Sequence, residues 1–293
     1  MKLFKKLSIS VIIPALDAAK TLDLTLSALR SNTVKPNEIL VVDGLSKDDT
    51  PNVARQFGCK VITNRLKHTA AARQMGINVA QSEIIAMTDS DCIPPSDWLE
   101  KIYQHFVLDA KLDGVGGIAR FAKPATRVQA YSALKAVHGI PKSQELIIRK
   151  GMRGRFAGSN CAYKRNTLLE VGGYDLRFKT HGSDIDLFWR LVDKKMRLLF
   201  DPALTVEHLG FSRDLPSLAR KSFGYGIGSA RLAHSHFPDR QLDLTFYWRP
   251  LVATIQEFFH KEQPRYPECV FVDNFIFAIG RTWGLINRDN INS

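Results

Sequence analysis

The chain has 293 residues, 45% of them hydrophobic and 24% charged, which is ordinary globular composition. This length suits one large domain or one domain with an appendage. The four cysteines, at positions 59, 92, 161 and 269, form no Cys-x-x-Cys pair and no Cys/His metal spacing. We therefore expect buried thiols in a reducing compartment and no disulfide framework.

The net charge of +12 is unevenly distributed along the chain. Residues 142–197 carry 13 Lys and Arg against 6 Asp and Glu, and no acidic residue occurs between Leu146 and Leu169. The basic residues of that acid-free stretch are Arg149, Lys150, Arg153, Arg155, Lys164 and Arg165. The stretch is either a solvated basic face or a surface for nucleic acid, an anionic membrane or a phosphate-bearing substrate.

The N-terminus contains lysines, a short apolar run and small residues, as a secretory signal does. The run from Ile9 to Pro14 is rich in β-branched residues and ends at a proline, which favours a buried first strand. No window has the roughly 18 uninterrupted apolar residues of a membrane span. The sequence therefore predicts a cytoplasmic protein.

Strand-like and helix-like segments alternate through the first ninety residues. The predicted elements are a strand at 9–14, a helix at 17–31, a strand at 38–43, a short helix ending at Gly58, a strand at 60–63, a helix at 70–80 and a strand at 83–88. This order predicts an α/β fold with a mostly parallel sheet and helices on both faces. Ligands of such sheets bind beyond the carboxyl ends of the strands, where Asp43 and Asp89 stand.

The remaining chain is less regular. We predict helices at 98–107, 167–171 and 184–193, strands at 115–121, 198–201 and 204–208, and a basic, glycine-containing loop at 143–155. Later, an amphipathic stripe is formed by Val272, Ile276, Ile279, Trp283 and Ile286. These patterns predict a domain at 1–212 and a mainly helical C-terminal extension at 213–293.

The clearest chemical feature is the segment Thr88-Asp-Ser-Asp-Cys92 at the end of a buried strand. Two carboxylates separated by one residue offer oxygen ligands to a hard cation in an open site. A lone Asp-x-Asp also occurs in surface turns, but this one ends a series of alternating strands and helices. The segment therefore predicts a divalent cation site.

A second acidic segment, Gly182-Ser-Asp-Ile-Asp186, precedes a predicted helix. Ser183 or Asp184 can cap that helix, which alone can explain the aspartates. A carboxylate at a cleft mouth can instead take a proton, so Asp184 is the candidate base and Asp186 is expected to cap or support. His208 ends a late strand and, joined to the two aspartates, is a reasonable third metal ligand.

Six segments together resemble the family 2 glycosyltransferases of the GT-A fold. They are IIPALDAAKTL, ILVVDGLSKDDT, AARQMGINVAQSEIIAMTDSD, VGGYD, GSDIDLFWR and VEHLG, in the family's order across residues 8–210. The resemblance implies a catalytic domain at 1–212, a nucleotide-diphospho-sugar donor and a divalent cation, Mn²⁺ or Mg²⁺.

The resemblance also implies roles for individual positions. The donor would contact Pro14, Ala15, Asp17, Asp43, Arg73 and Asp89, with Asp43 at the base edge, Arg73 at the nucleotide or its phosphates, and Asp89 near the ribose or sugar. Asp91 would be the principal metal ligand, His208 would approach the metal or the diphosphate, and Asp184 would be the catalytic base.

Three departures from the family pattern bear on specificity. Asp17 stands where Asn is usual, and Gly44-Leu45 stands where the family has a second Asp or a Gly-Ser arrangement, so the nucleotide base is not specified. Ser183 stands where an acidic residue often precedes the base. No Gln-x-x-Arg-Trp segment, a signature of the processive synthases, follows Asp184. We therefore expect a single-transfer enzyme.

The expected activity is inverting transfer of one sugar from a UDP-, GDP- or dTDP-linked donor to a glycan, lipid-linked or other hydroxyl acceptor, in cell-surface polysaccharide, glycolipid or lipid-carrier glycan synthesis. A sugar nucleotidyltransferase is disfavoured because the loop PALDAAKT after the first strand has no glycine. An inactive sugar-nucleotide-binding module is disfavoured because the Asp-x-Asp and the base are both present.

The partners and location follow from the same patterns. No recognised nucleic-acid motif accompanies the basic stretch, so nucleic acid is not expected as a partner. The C-terminal extension carries 10 basic and 8 acidic residues, and its apolar stripe and aromatics (Phe246, Tyr247, Trp248, Phe258 and Phe259) leave three roles open. It docks on the catalytic domain, forms a homodimer, or lies peripherally on a membrane, at its inner face.

Overall fold

The computed structural model describes residues 7–137, 140–147, 150, 156–210, 212–237, 252, 255 and 266–287. Its strands are β1 (Ile9–Ala15), β2 (Glu38–Asp43), β3 (Lys60–Thr63), β4 (Ile84–Thr88), β5 (Cys92–Ile93), β6 (Gly114–Phe121), β7 (Glu145–Ile147), β8 (Asn160–Lys164) and β9 (Leu198–His208). Its helices are α1 (Ala19–Arg30), α2 (Thr50–Gln56), α3 (Thr69–Val79), α4 (Trp98–Leu108), α5 (Arg127–Val137), α6 (Arg165–Glu170), α7 (Ser183–Asp193), α8 (Leu215–His236) and α9 (Pro267–Ile286).

The chain divides into two compact units. The first comprises residues 1–122, 137–176 and 184–210, and the second comprises residues 123–136, 177–183 and 211–293. The predicted division into a domain at 1–212 and an extension at 213–293 stays a prediction. The second unit also contains two short segments from earlier in the chain.

The first unit is built on a single sheet. Among the described residues the strand order is β3-β2-β1-β4-β8-β6-β9-β5, and β7 pairs with β9. Strands β1 to β4 pair in parallel, as do β6 and β9, whereas β8 runs antiparallel between β4 and β6. The sheet is therefore mostly parallel, and the predicted GT-A type of α/β fold is confirmed.

Helices cover both faces of this sheet, as predicted. Along β1, Val11 and Ile13 pack with residues of α1, α2 and α4, whereas Ile12 packs on the opposite face with residues of α3, α6 and α7. Because both faces are buried, the central strands read in sequence as continuous apolar runs. Helix α3 lies very close to the sheet, since a Cβ atom on Gly76 would come within 2.6 Å of Ile12.

Helix α1 begins at Ala19, later than the predicted start at Asp17. Asp17 cannot belong to the helix because its φ angle is +48°. Two side chains near the start of α2 cap the N-terminus of α1. The Ala19 N–H donates to Asp48 Oδ2 at 2.9 Å, and the Ala18 N–H donates to Thr50 Oγ1 at 2.8 Å. A carboxylate at this position also interacts favourably with the helix dipole.

The middle of the chain departs from the predicted elements. The two predicted strands at 198–201 and 204–208 are one strand, β9, which pairs with β6 on both sides of an irregularity near Gly116. The predicted loop at 143–155 contains strand β7 at Glu145–Ile147. Strands β5 and β8 and helix α5 were not predicted, because their short polar and apolar runs have no clear period.

The described basic residues of the acid-free stretch do not gather at one place. Strand β8 is antiparallel to β4, so that Asn160 pairs with Thr88 and Lys164 pairs with Ile84 at the other end of the strand. Lys164 therefore lies at the opposite edge of the sheet from the two aspartates. Lys150 forms an ion pair of 2.6 Å with a carboxylate of α7. Three further basic residues lie outside the described residues: Arg149, Arg153 and Arg155.

Asn160 ties four elements together in the interior of the first unit. Its side chain is fully buried, and its Oδ1 accepts a hydrogen bond of 2.8 Å from Trp98 Nε1. Its Nδ2 donates to the carbonyl oxygens of Ile118 and Leu204 at 3.0 and 2.8 Å. These bonds join β8 to α4, β6 and β9 just beyond the carboxyl end of β4.

The second unit contains the described helices α8 and α9, packed backbone to backbone. A Cβ atom on Gly226 would come within 2.3 Å of the Phe277 carbonyl oxygen, and one on Gly280 within 2.3 Å of the Phe223 carbonyl oxygen. Gly226 of α8 and Gly280 of α9 therefore permit close packing of the two helices. Gly284 lies on the same face of α9, and a Cβ atom on it would come within 2.9 Å of the Ala230 Cβ atom of α8.

A buried carboxylate joins three helices of the second unit. Asp273 of α9 accepts hydrogen bonds of 2.6 Å from Tyr131 of α5 and from Ser222 of α8, and forms an ion pair with Lys135 of α5. Burial acts to raise the pKa of Asp273, but the Lys135 ammonium and the three donors lower it below its ordinary value. This polar network fixes how α9 is rotated about its axis.

We predict that Asn160→Ala lowers the free energy of unfolding by about 3–5 kcal/mol, because it leaves the buried Trp98 Nε1–H without its acceptor and removes two further buried hydrogen bonds. The measurement is urea unfolding followed by circular dichroism. Asn52→Ala, which removes an exposed asparagine with two surface hydrogen bonds, is the matched control and should change stability by less than about 0.5 kcal/mol. Equal effects of the two substitutions would contradict the assigned role of Asn160.

Candidate active site

Side chains from the ends of two strands meet at the carboxyl edge of the sheet. Asp89 and Asp91 follow β4, and His208 ends β9. The His208 Nε2 atom lies 3.7 Å from Asp91 Oδ1 and 4.0 Å from Asp89 Oδ2. The short strand β5 brings them together, since Cys92 pairs with His208 and the Leu209 N–H donates to the Asp91 carbonyl oxygen at 2.8 Å. All three predicted residues thus share one site.

The donor set fits a divalent cation. Ligand atoms of Asp89, Asp91, Cys92 and His208 all lie within 4.8 Å of one another. Two carboxylates with one imidazole suit Mn²⁺ or Mg²⁺, with carboxylates preferred by both. Burial, with the charges of Asp89 and Asp91, raises the pKa of Cys92 well above its ordinary value, which keeps that side chain a neutral thiol.

The hydrogen bonding of His208 shows what cation binding requires. Its Nδ1 atom accepts a hydrogen bond of 3.0 Å from the Gly210 N–H, so the neutral ring carries its proton on Nε2. Ligation through Nε2 needs that proton to move to Nδ1, and the Gly210 N–H must then lose its acceptor. The two aspartates need no such change.

Arg73 places a buried positive charge beside the aspartates. It lies on α3, its side chain is only 7% exposed, and its Nη2 atom contacts Asp89 Oδ1 at 2.8 Å. Burial acts to lower the pKa of Arg73, but Asp89, Tyr174 and Asp184 more than offset this, so the pKa lies above its ordinary value. Its Nε atom is buried without a hydrogen-bond partner among the described residues.

Two further residues shape the surroundings of Arg73. The guanidinium carbon lies 5.7 Å from the centre of the Tyr174 ring, in a cation–π arrangement. On another side, a Cβ atom on Gly158 would come within 2.4 Å of the guanidinium, so only glycine leaves room for it. Neither residue was assigned a role from sequence, although Tyr174 belongs to the quoted segment VGGYD.

The loops after β1 and β2 are joined by polar contacts around Asp43. Asp43 is buried, and its carboxylate accepts hydrogen bonds from Ser46 Oγ at 2.5 Å and from the Leu45 N–H at 3.1 Å. Ser46 Oγ also accepts from the Asp17 N–H at 2.9 Å, and Asp17 Oδ1 accepts from the Lys47 N–H at 2.6 Å. Ser46 thus positions both predicted donor-contacting aspartates, a role that the sequence analysis missed.

The same edge exposes two leucines. Leu45 has a φ angle of +64°, a conformation that costs a non-glycine residue on the order of 1 kcal/mol. Leu45 and Leu16 are 43% and 50% exposed, and the position of a Cβ on Gly44 lies 3.4 Å from Leu16. Pro14 and Ala15, at the end of β1, lie next to this apolar rim. The rim borders the predicted base-contacting residue Asp43.

The two aspartates of α7 have different surroundings. Asp186 is buried and accepts hydrogen bonds from Arg190 at 2.7 and 2.9 Å, and Arg190 also donates to backbone carbonyls of the Gly172-Gly173 turn region. Its predicted supporting role agrees with this geometry. Asp184 is half-buried in the first turn of α7, and its charge acts on Arg73 and Tyr174. The catalytic role of Asp184 stays a prediction.

Comparison with known proteins gives a consistent identification. A model of the family described as Glycosyl transferase family 2 matches residues 10–172. Glycosyltransferase AglE of Haloferax volcanii is 32% identical over 237 residues, which cover 76% of this chain and 73% of that protein. The pre-mycofactocin glycosyltransferase of Mycobacterium tuberculosis is 27% identical over 252 residues, 84% of this chain. The chain spans about half the length of that relative, 52%.

Solved structures share the fold. The mannosyltransferase PcManGT from Pyrobaculum calidifontis, in complex with GDP-Man and Mn²⁺, has a TM-score of 0.62 at 15% identity, over 97% of this chain and 88% of that one. Glucosyl-3-phosphoglycerate synthase from Mycobacterium tuberculosis, in complex with Mn²⁺, UDP and glucosyl-3-phosphoglycerate, has a TM-score of 0.55 at 19% identity, over 78% of this chain and 79% of that one. The match of the family model over more than half of the chain, together with the 32% identity to AglE, shows that the chain belongs to glycosyl transferase family 2.

Proposed function

We propose that the chain is a metal-dependent glycosyltransferase that moves one sugar from a nucleotide-diphospho-sugar to an acceptor hydroxyl with inversion. The observation that carries this proposal is the cluster of Asp89, Asp91 and His208 beside the buried charge of Arg73. The membership of family 2 supports the transferase class.

Asp91, Asp89 and His208 are the residues that would hold Mn²⁺ or Mg²⁺. A cation bound there supplies positive charge that stabilises a departing diphosphate. Arg73 adds a fixed positive charge on the α3 side, already oriented by Asp89 and Tyr174. A preorganised charge of this kind favours the build-up of negative charge on a leaving group.

Asp184 acts as the general base in this proposal. An acceptor hydroxyl has a pKa far above 7, so it attacks the sugar carbon only as its proton is removed. Asp184 stands at the start of α7 and takes that proton, while the bond from the sugar to the diphosphate breaks on the opposite face. A single displacement inverts the anomeric centre.

The donor and the acceptor are proposed as chemical classes, not as individual compounds. The donor is a UDP-, GDP- or dTDP-sugar, whose base lies against Asp43 and the Leu16–Leu45 rim. The two solved neighbours contain a GDP-linked sugar in one case and UDP in the other, which supports a nucleotide-diphosphate donor without choosing the base. The acceptor is a glycan, lipid-linked or other hydroxyl compound, and transfer is non-processive.

Two other functions are weaker candidates. A sugar nucleotidyltransferase needs a glycine-rich loop after the first strand, and residues 14–21 contain no glycine. An inactive binding module needs neither a base nor a complete cation site. The chain keeps both Asp184 and the three candidate ligands, which favours an active enzyme.

We predict that Mn²⁺ together with one nucleoside diphosphate raises the melting temperature by several degrees, since a ligand that binds only the folded state stabilises it. EDTA should abolish this shift, and so should Asp91→Ala. The measurement is thermal shift across UDP, GDP and dTDP. Asp97→Ala, which changes an aspartate with an exposed side chain at the start of α4, is the control and should keep the shift. A shift that survives EDTA would contradict the proposed cation site.

We predict different effects for the two aspartates of α7. Asp184→Asn should lower the turnover rate by about 10²- to 10⁴-fold and keep nucleotide binding, because only proton removal is lost. Asp186→Asn should keep the turnover of the folded fraction but lower the free energy of unfolding by about 2–3 kcal/mol, because Arg190 loses its buried partner. Steady-state transfer rates and urea unfolding measure both. Equal loss of turnover in the two variants would refute the assignment of the base.

We predict that Leu45→Gly weakens the preferred nucleoside diphosphate about fivefold, the equivalent of about 1 kcal/mol of lost apolar contact. Stability should change by less than about 1 kcal/mol, because relief of backbone strain offsets the greater freedom of glycine in the unfolded chain. Lys195→Gly is matched, since Lys195 also has a positive φ of +57° but lies in the turn before β9. Calorimetric titration should show unchanged affinity for that control. An unchanged affinity in Leu45→Gly would remove the rim from the base site.

A further inference from the structure

Helix α9 presents an apolar face to its surroundings. Every exposed residue of this helix is large and apolar: Phe271 (42%), Phe275 (46%), Ile279 (43%), Trp283 (46%) and Ile286 (76%). At 100° per residue these five side chains fall within an arc of about 120° along the helix. The predicted stripe is therefore only partly right, because Val272 and Ile276 are half-buried whereas Phe271 and Phe275 are exposed.

The polar groups of α9 are used elsewhere. Asp273 is buried in its network with α5 and α8, and Arg281 donates a hydrogen bond of 2.7 Å to Ser229 of α8. Glu268, in the first turn, pairs with Arg127 at 2.9 Å. A helix whose charged side chains are paired with neighbouring helices and whose exposed residues are all apolar is suited to an apolar environment on its outer side.

The arrangement favours a helix that lies along a membrane surface over one that crosses the membrane. By length and composition alone, α9 could span a bilayer. One side of α9, however, packs through Gly280 and Gly284 against α8 and carries the buried carboxylate of Asp273. A one-sided apolar face matches the interfacial geometry, in which only that face enters the acyl chains.

The exposed face is too small for a stable dimer. Five such side chains, each of about 200 Å² and roughly half exposed, offer on the order of 500 Å². A stable protein interface buries about 800 Å² on each partner. The area therefore favours a lipid surface over a second copy of the chain.

The charge next to this face favours anionic lipid. Arg127 of α5 pairs with Glu268 in the first turn of α9, and the Arg127 side chain is 63% exposed. The chain as a whole carries a net charge of +12. Exposed cations beside an apolar helix face strengthen binding to anionic headgroups.

We propose that the face of α9 formed by Phe271, Phe275, Ile279, Trp283 and Ile286 inserts into the interface of an anionic lipid bilayer. The enzyme is then held at a membrane surface by a helix that does not span it. Insertion of this face into the bilayer is independent of donor binding and of the chemistry of the Asp89–Asp91 site. It gives the predicted peripheral membrane contact a specific surface.

The test is flotation of the full chain with vesicles of phosphatidylcholine, alone and mixed with phosphatidylglycerol. We expect flotation with both, stronger with phosphatidylglycerol. The triple variant Phe275→Ser, Ile279→Ser, Trp283→Ser should bind at least about tenfold more weakly, since it removes most of the apolar contact. The matched control is Leu24→Ser, Leu108→Ser, Leu169→Ser, which changes three exposed leucines of the first unit and should float as the unchanged chain does.

Quenching by lipids brominated in the acyl chains locates the contact. Tryptophan fluorescence should be quenched on vesicle binding, and Trp283→Phe should remove most of that quenching while flotation persists. Circular dichroism and melting curves of each variant establish that it is folded. Absence of flotation with both vesicles, or equal flotation of the folded triple variant, would overturn the proposal. So would a dimer in solution, measured by light scattering, that the triple variant dissociates.

Discussion

The guanidinium of Arg73 has almost no access to water, so its charge must be met by groups that the fold brings to it. Asp89 supplies the partner charge, the face of Tyr174 covers one side, and Gly158 leaves the space in which the guanidinium lies. Asp184 acts on the same charge from α7. Removal of the Arg73 side chain would take away the positive charge that acts on Asp89, in the candidate cation site, and on Asp184, the candidate base.

This cluster exists because several elements end at one edge of the sheet. The parallel pairing of β1, β2 and β4 places Asp43 and Asp89 there, and the antiparallel β5 holds Asp91 against His208 of β9. The buried Asn160 then ties β8 to its neighbours at the same depth. The geometry of the site is therefore a property of sheet topology as much as of the side chains that perform the chemistry.

The N-terminal half of the fold was predictable from local patterns, because strands buried on both faces are continuous apolar runs and the helices between them have clear periods. The Asp-x-Asp, Asp184 and His208 were found because each follows or precedes such an element. The antiparallel β8 and helix α5 were not predicted, since their identity depends on pairing with residues far away in the chain. The contacts made by Ser46 and Gly158 were equally beyond local patterns, because they are set by loops and helices that meet only in the folded chain.

The second unit gives a different lesson about periodicity. The sequence showed an apolar stripe on α9, but apolar periodicity alone does not say whether the bulky or the small residues face the neighbouring helix. Gly280 and Gly284 pack against α8, and the bulky residues are left on the outside. The rotation of α9 is set instead by the polar contacts of Asp273, which no hydrophobic pattern encodes.

The most direct test of the central claim is anomalous diffraction at the manganese edge from crystals grown with Mn²⁺ and the nucleoside diphosphate that binds. The account predicts a single strong peak coordinated by Asp91, with Asp89 and His208 around it and the diphosphate directed towards Arg73. In the same map the Gly210 N–H should no longer donate to His208 if the imidazole is a ligand. A manganese ion bound elsewhere, or a nucleotide bound away from this edge of the sheet, would contradict the account.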